Sequence, residues 1–207
     1  MDFPGKVTVI TGGASGIGAA TARAFAKEGA RVIVADLNEA GAKAVADEID
    51  GIGIRCNVAQ ESDVNSLVRA VEAEFGRIDL FFSNAGVASG GDILDTEIDV
   101  WNTQWQVNLM AHVYAVRAVL PAMLSRGDGY LVHTASMAGI LTTHGNVPYA
   151  VTKHGVVGLA EWLSITYHDK GIRTSLLAPL GVNTPTVSYT HLRAHETDSY
   201  LVCGLLR

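Results

Sequence analysis

Tyr149 and Lys153, four residues apart, carry the chain's clearest capacity for chemistry. On a helix such a pair shares one face a turn apart, which sets an ammonium beside a phenol. At about 4 Å and an effective dielectric of about 20, that charge contributes about 4 kcal/mol in favour of the phenolate. A phenol so placed serves as a general acid or base near neutral pH. Ser136 lies thirteen residues upstream of Tyr149. The same spacing also occurs in ordinary amphipathic pairs, so the rest of the chain has to decide.

A second chemical signature lies near the N-terminus. Thr11-Gly12-Gly13-Ala14-Ser15-Gly16-Ile17-Gly18 follows the apolar run 7–11 and opens into an Ala-rich helical pattern. Glycines at a strand-to-helix turn let the backbone approach a pyrophosphate, which then meets unpaired amides at the positive end of the helix. Asp36 closes the next apolar run, where a carboxylate accepts hydrogen bonds from both ribose hydroxyls and repels a 2'-phosphate. Neither the loop nor Leu37 and Asn38 supplies a cation for such a phosphate, so NAD is expected over NADP.

These residues need a scaffold, and the chain supplies one. Short apolar runs at 7–11, 32–35, 52–54, 80–82, 130–134 and 174–178 alternate with helical patterns such as 19–28 and 39–49. Runs of this kind read as strands buried on both faces, hence an α/β, doubly wound parallel sheet with helices on both faces. The longest helical pattern, 98–125, sets Trp101, Trp105, Leu109, Val113 and Val116 on one apolar face. With 207 residues and 48% hydrophobic content, one domain is expected. A net charge of −6 without basic blocks disfavours nucleic acid and anionic membranes as partners. Only Cys56 and Cys203 are present, without ligand spacing, so neither a disulfide framework nor a metal site is expected and the compartment should be reducing. No secretory pattern or apolar run of about 18 residues is evident, which points to a cytoplasmic protein.

Taken together the motifs resemble the classical short-chain dehydrogenase/reductase family, from the first strand to about residue 185. The glycine motif, Asn84-Ala85-Gly86, Asn108 in Val107-Asn108-Leu109, and Ser136 ahead of Tyr149 and Lys153 occur in the family's order. The resemblance implies a Rossmann-like fold and hydride transfer between a nicotinamide cofactor and a secondary alcohol or ketone. Tyr149 would be the acid or base, and Ser136 would hold the oxygen. Lys153 would act on Tyr149 and bind the nicotinamide ribose, while Asn108 would keep a relay water. Cofactor contacts are expected from Gly12, Ser15, Gly16, Ile17, Gly18, Asp36, Asn57, Val58, Asn84, Ala85, Gly86, Tyr149, Lys153, Val182 and Thr184. A homodimer or homotetramer is implied as well. A catalytically silent dinucleotide-binding scaffold on the same fold is the alternative, and an inactive truncated fragment is another.

Two positions depart from the family pattern. Asn57 stands where an aspartate usually accepts from the adenine amino group, and its carbonyl can still accept. Leu180 replaces a glycine, which is strained if the site demands a positive φ. Beyond Pro185 the resemblance ends. Residues 187–207 read like a translated sequencing adapter, so the domain is placed at 1–186 and the sheet is expected to be truncated before its seventh strand. His191 and His195 lack a third ligand for zinc.

Overall fold

The structure is a computed structural model that describes residues 2–180 and 203–204. Six parallel strands form one sheet: β1 (Val7–Thr11), β2 (Arg31–Asp36), β3 (Ile52–Arg55), β4 (Leu80–Ser83), β5 (Gly129–Thr134) and β6 (Ile172–Leu177). A two-residue β7 (Cys203–Gly204) pairs antiparallel with Leu176 and Leu177. The spatial order is β3-β2-β1-β4-β5-β6-β7, so the direction of winding reverses between β1 and β4. A crevice opens at such a switch point, beyond the carboxyl ends of the strands.

Strand alternation sorts the core into two layers. Val9, Ile33, Phe81 and Leu131 face α3 (Glu61–Phe75), α5 (Ala111–Arg126) and α6 (Val147–Tyr167), with Val68, Val119, Met123 and Leu163 among their partners. Ile10, Val32, Val34 and Phe82 face the other way, against Ala19 and Ala22 of α1 (Gly16–Lys27) and Ala42 and Val45 of α2 (Glu39–Glu48). Burying one such Leu, Met or Phe contributes about 1.5–3 kcal/mol. Alanines on α1 and α2 let these helices lie close to the sheet.

The expected long helix is interrupted. α4 (Ile98–Gln104) runs through a π-helical stretch, Trp105–Met110, before α5 begins. By length and the mean hydropathy of one 18-residue window, the helical span Ile98–Arg126 is apolar enough to cross a membrane. In the fold it is a core helix: Asn108, His112, Ala115, Val119 and Met123 are buried against the sheet and its neighbours. The sixth strand begins two residues earlier than its apolar run, at Ile172. The tail reading for 187–207 lies outside the described residues, apart from the Cys203–Gly204 backbone. Leu180 is not among the described positive-φ residues, where the non-glycines are Asp50 and Thr142, so its substitution for glycine carries no left-handed strain.

Candidate active site

The glycine loop is held shut by side chains from across the sheet. Gly12 has φ +65, and a Cβ there would lie 2.7 Å from Ala85 Cα. Only a glycine fits this close pass between loop and β4. Asn84 completes the closure: its Nδ2 donates to the main-chain oxygens of Thr11 (3.1 Å) and Gly12 (3.3 Å), and its Oδ1 accepts from Thr134 Oγ1 at 3.0 Å. Thr11 Oγ1 accepts in turn from the Asn84 amide at 3.0 Å. One asparagine thus links the ends of β1, β4 and β5.

The start of α1 differs from those of α2 and α3. Ser15 sits at its N-cap without making a capping bond, and no acidic residue occupies the first turn. α2, by contrast, is capped by Asn38 and carries Glu39, while α3 begins with Glu61 and Asp63. The positive end of α1 is therefore uncompensated and faces the crevice, which suits a pyrophosphate. Asp36 lies at the end of β2, accepting from the amides of Ala14 (3.0 Å) and Asn38 (2.9 Å). Those bonds fix the carboxylate at the cavity wall and leave each oxygen a further lone pair.

A cavity of about 670 Å³ joins these pieces to the Tyr149 region. Gly12, Ser15, Gly16, Ile17 and Asp36 line one end, Asn57 and Val58 the adjoining wall, Asn84, Ala85 and Gly86 the floor. Ser136, Tyr149 and Lys153 line the other end. Gly18 and Asn108 do not reach it. Gly18 lies under the loop, where an added Cβ would strike the Gly12 carbonyl oxygen. Val182 and Thr184 lie outside the described residues. Asn57 Oδ1 accepts from the Ala59 amide at 3.1 Å, which commits one of the two lone pairs expected to face adenine.

Helix geometry places the reactive pair. Asn146 caps α6 by accepting from the Tyr149 amide at 3.2 Å, and Pro148 preorganises the first turn. Tyr149 is thereby fixed in that first turn, half-buried at the cavity edge. Lys153 is 2% exposed; its Nζ donates to the Thr134 carbonyl at 2.8 Å and lies 5.6 Å from the Tyr149 ring centroid. Burial pushes its ammonium down to about 8, so the charge is held in a costly place. Ser136 caps the short turn Met137–Gly139 by accepting from the Ala138 amide at 3.1 Å, leaving its hydroxyl proton to donate.

Asn108 is fully buried in the π-helical stretch. Its Oδ1 accepts from the Val87 amide at 2.8 Å, and its Nδ2 donates to the Val87 carbonyl (2.9 Å) and to Gln104 Oε1 (3.1 Å). The side chain therefore fastens the segment after β4 to the helix behind Lys153. Several contributors carry no local sequence signal. Gln104, whose Nε2 donates to the Ser89 carbonyl, and Thr134 act through partners distant in sequence. Thr142, a cavity-lining residue, adopts φ +74, unusual for a β-branched residue.

A doubly wound sheet with a glycine loop, an acid at the end of β2 and a tyrosine beside a buried lysine defines a nicotinamide-dependent oxidoreductase site. Comparison with known proteins narrows the class. The short chain dehydrogenase family profile matches residues 6–194. The chain is 36% identical over 186 residues to 2,5-dichloro-2,5-cyclohexadiene-1,4-diol dehydrogenase LinX of Sphingobium indicum, covering 87% of this chain and 74% of that protein. It is 37% identical over 194 residues to cyclohexanol dehydrogenase of Acinetobacter sp., covering 90% and 76%. A crystal structure of a short chain dehydrogenase/reductase from Burkholderia phymatum in complex with NAD superposes with a TM-score of 0.86 at 33% identity, covering 96% of this chain and 76% of that one. The chain belongs to the short-chain dehydrogenase family. It is accordingly an oxidoreductase that passes a hydride between a nicotinamide cofactor and an alcohol or carbonyl carbon.

Proposed function

We propose that this enzyme interconverts small secondary alcohols and ketones with NAD, using Tyr149 as the proton-transferring acid or base. The observation that carries the reading is Tyr149 and the buried Lys153 ammonium at one end of the cavity whose other end holds the glycine loop and Asp36. The nicotinamide, when bound, supplies the hydride chemistry. The protein supplies position, charge and the proton.

In the oxidation direction, Tyr149 Oη takes the substrate hydroxyl proton, and in reduction it returns a proton to the developing alkoxide. The Ser136 hydroxyl donates to the same oxygen and fixes its place. Lys153 stabilises negative charge on the phenol oxygen and reaches the nicotinamide ribose. Asn108 acts from behind through Val87 and Gln104. Because its side-chain groups are committed to protein partners, the expected relay water would be held by main-chain atoms of the π-helical stretch.

Asp36 selects NAD by accepting from the ribose hydroxyls. Asn57 and Val58 contact the adenine side, and Val182 and Thr184 are assigned to the carboxamide by family pattern. Met137, Leu141, Val87 and Val107 give the substrate end an apolar wall, which suits compact alicyclic alcohols such as those named for the relatives. Exposed Val151, Trp162 and Ile165 on α6, with Ile98 and Trp105 from α4 and the start of the π-helical stretch, provide surfaces for a homodimer or homotetramer. A reducing cytoplasm suits the buried Cys56 thiol, which burial pushes up to about 12 and so keeps unreactive.

The direct test is an NAD-linked absorbance assay with the full chain against secondary, primary and tertiary alcohols. Cyclohexanol-sized secondary alcohols should reduce NAD while tertiary ones do not. Binding of NADH without turnover of any alcohol or ketone would contradict the proposal.

A further inference from the structure

Within reach of the Lys153 charge lies a buried pair of histidines that the reaction described above does not use. His112 and His133 are each 1% exposed, with Nδ1 atoms 3.0 Å apart and ring centroids 5.3 Å apart. A hydrogen bond between two Nδ1 atoms requires opposite tautomers: one ring donates from Nδ1 and the other, protonated at Nε2, accepts. Neither Nε2 has a protein partner. Leaving a buried polar atom unpaired costs about 1–3 kcal/mol, whereas apolar groups of similar shape avoid that cost. The pair is therefore a poor choice for core filling alone.

Its placement is specific. His133 immediately precedes Thr134, whose carbonyl accepts from Lys153 Nζ. His112 lies one helical turn beyond Asn108, and Asn108 Nδ2 is 3.4 Å from Oγ1 of Thr152, the neighbour of Lys153. The imidazole bond thus ties α5 to β5 next to the Thr134 carbonyl that holds the lysine. Burial keeps both rings neutral, pushing His133 down to about 4, and the Lys153 charge adds to the effect on His112.

We propose that His112 and His133 are positioning residues for Lys153: their neutral imidazole–imidazole hydrogen bond fixes the α5–β5 spacing and gives the buried ammonium a polar layer to rest on. The proposal builds on the role assigned to Lys153 above.

The test uses the full chain carrying ¹³C-labelled lysine, with the Lys153 signal assigned by Lys153→Met. In the parent, Lys153 should titrate near 8. In His112→Leu/His133→Leu the midpoint should fall by about one unit, a tenfold loss of ammonium above it. NADH affinity should weaken about tenfold while the thermal midpoint holds or rises. His133→Asn, which keeps a hydrogen-bonding partner for His112, should restore both. An unchanged Lys153 titration and NADH affinity in the Leu pair would reduce the histidines to core filling and overturn the proposal. Should the Leu pair not fold, ¹⁵N spectra of the parent decide: two neutral imidazoles of opposite tautomer, shifted by Lys153→Met, support the pairing, and signals indifferent to that change overturn it. If Lys153→Met itself binds NADH and turns over like the parent, the assigned role of Lys153 falls and the pair's role with it. If Lys153→Met fails while the Leu pair behaves normally, only the pair's role falls.

Discussion

At the residue scale, the chemistry proposed for the tyrosine–lysine pair depends on burial, which its four-residue spacing does not show. The spacing was legible in the sequence, as were Ser136 and Asp36, because helix and strand periodicity place such residues by local rules. What the sequence withheld is Lys153's solvation: its ammonium is buried on the Thr134 carbonyl and no acidic side chain bonds to it among the described residues. Asp36 illustrates the converse, since its position at the end of a strand suggested the proposed ribose contact and the structure adds the amides that hold it. Charge-assisted bonds from a ribose to this carboxylate would each be worth about 1.5–3 kcal/mol. Asp36→Ala should therefore lower the ratio of kcat/KM with NAD to that with NADP by about 10–100-fold in paired steady-state assays. An unaltered ratio would remove Asp36 from the cofactor contact.

At the element scale, the site depends on contacts between strand ends and loops far apart in sequence. Apolar runs revealed all six parallel strands within about two residues, because buried strands in a parallel sheet are continuously hydrophobic. The π-helical stretch was not legible, nor was the cross-sheet role of Asn84. Both depend on partners supplied by other elements: Val87 for Asn108, and Thr11, Gly12 and Thr134 for Asn84. Asn84's side-chain donors and acceptor all meet the protein, so its side chain sets the loop. Asn84→Ala should leave the Thr11 and Gly12 carbonyls and the Thr134 hydroxyl without that partner, costing about 2–3 kcal/mol in urea unfolding. It should weaken NADH binding as well, because the loop loosens. Full stability with normal NADH affinity would refute the clasp.

At the scale of the whole molecule, the sheet's switch point gathers the glycine loop from one half and Ser136, Tyr149 and Lys153 from the other around one cavity. The outer surface carries a second consequence. Trp162 is 56% and Ile165 86% exposed on α6, costly surface for an isolated monomer. If α6 forms the proposed oligomer interface, Ile165→Glu with Trp162→Ser should shift the species seen by light scattering toward monomer, and an unchanged mass would exclude α6 from that role. The central claim is that one phenol moves the proton in a cavity that binds cofactor independently of it. The measurement that reaches it most directly is turnover and NADH affinity of Tyr149→Phe, side by side with the parent. Removing a general acid–base group costs about 10²–10⁴ in rate. The account predicts a loss of that size in kcat with the NADH Kd within about twofold of the parent; turnover retained within a few-fold would contradict it.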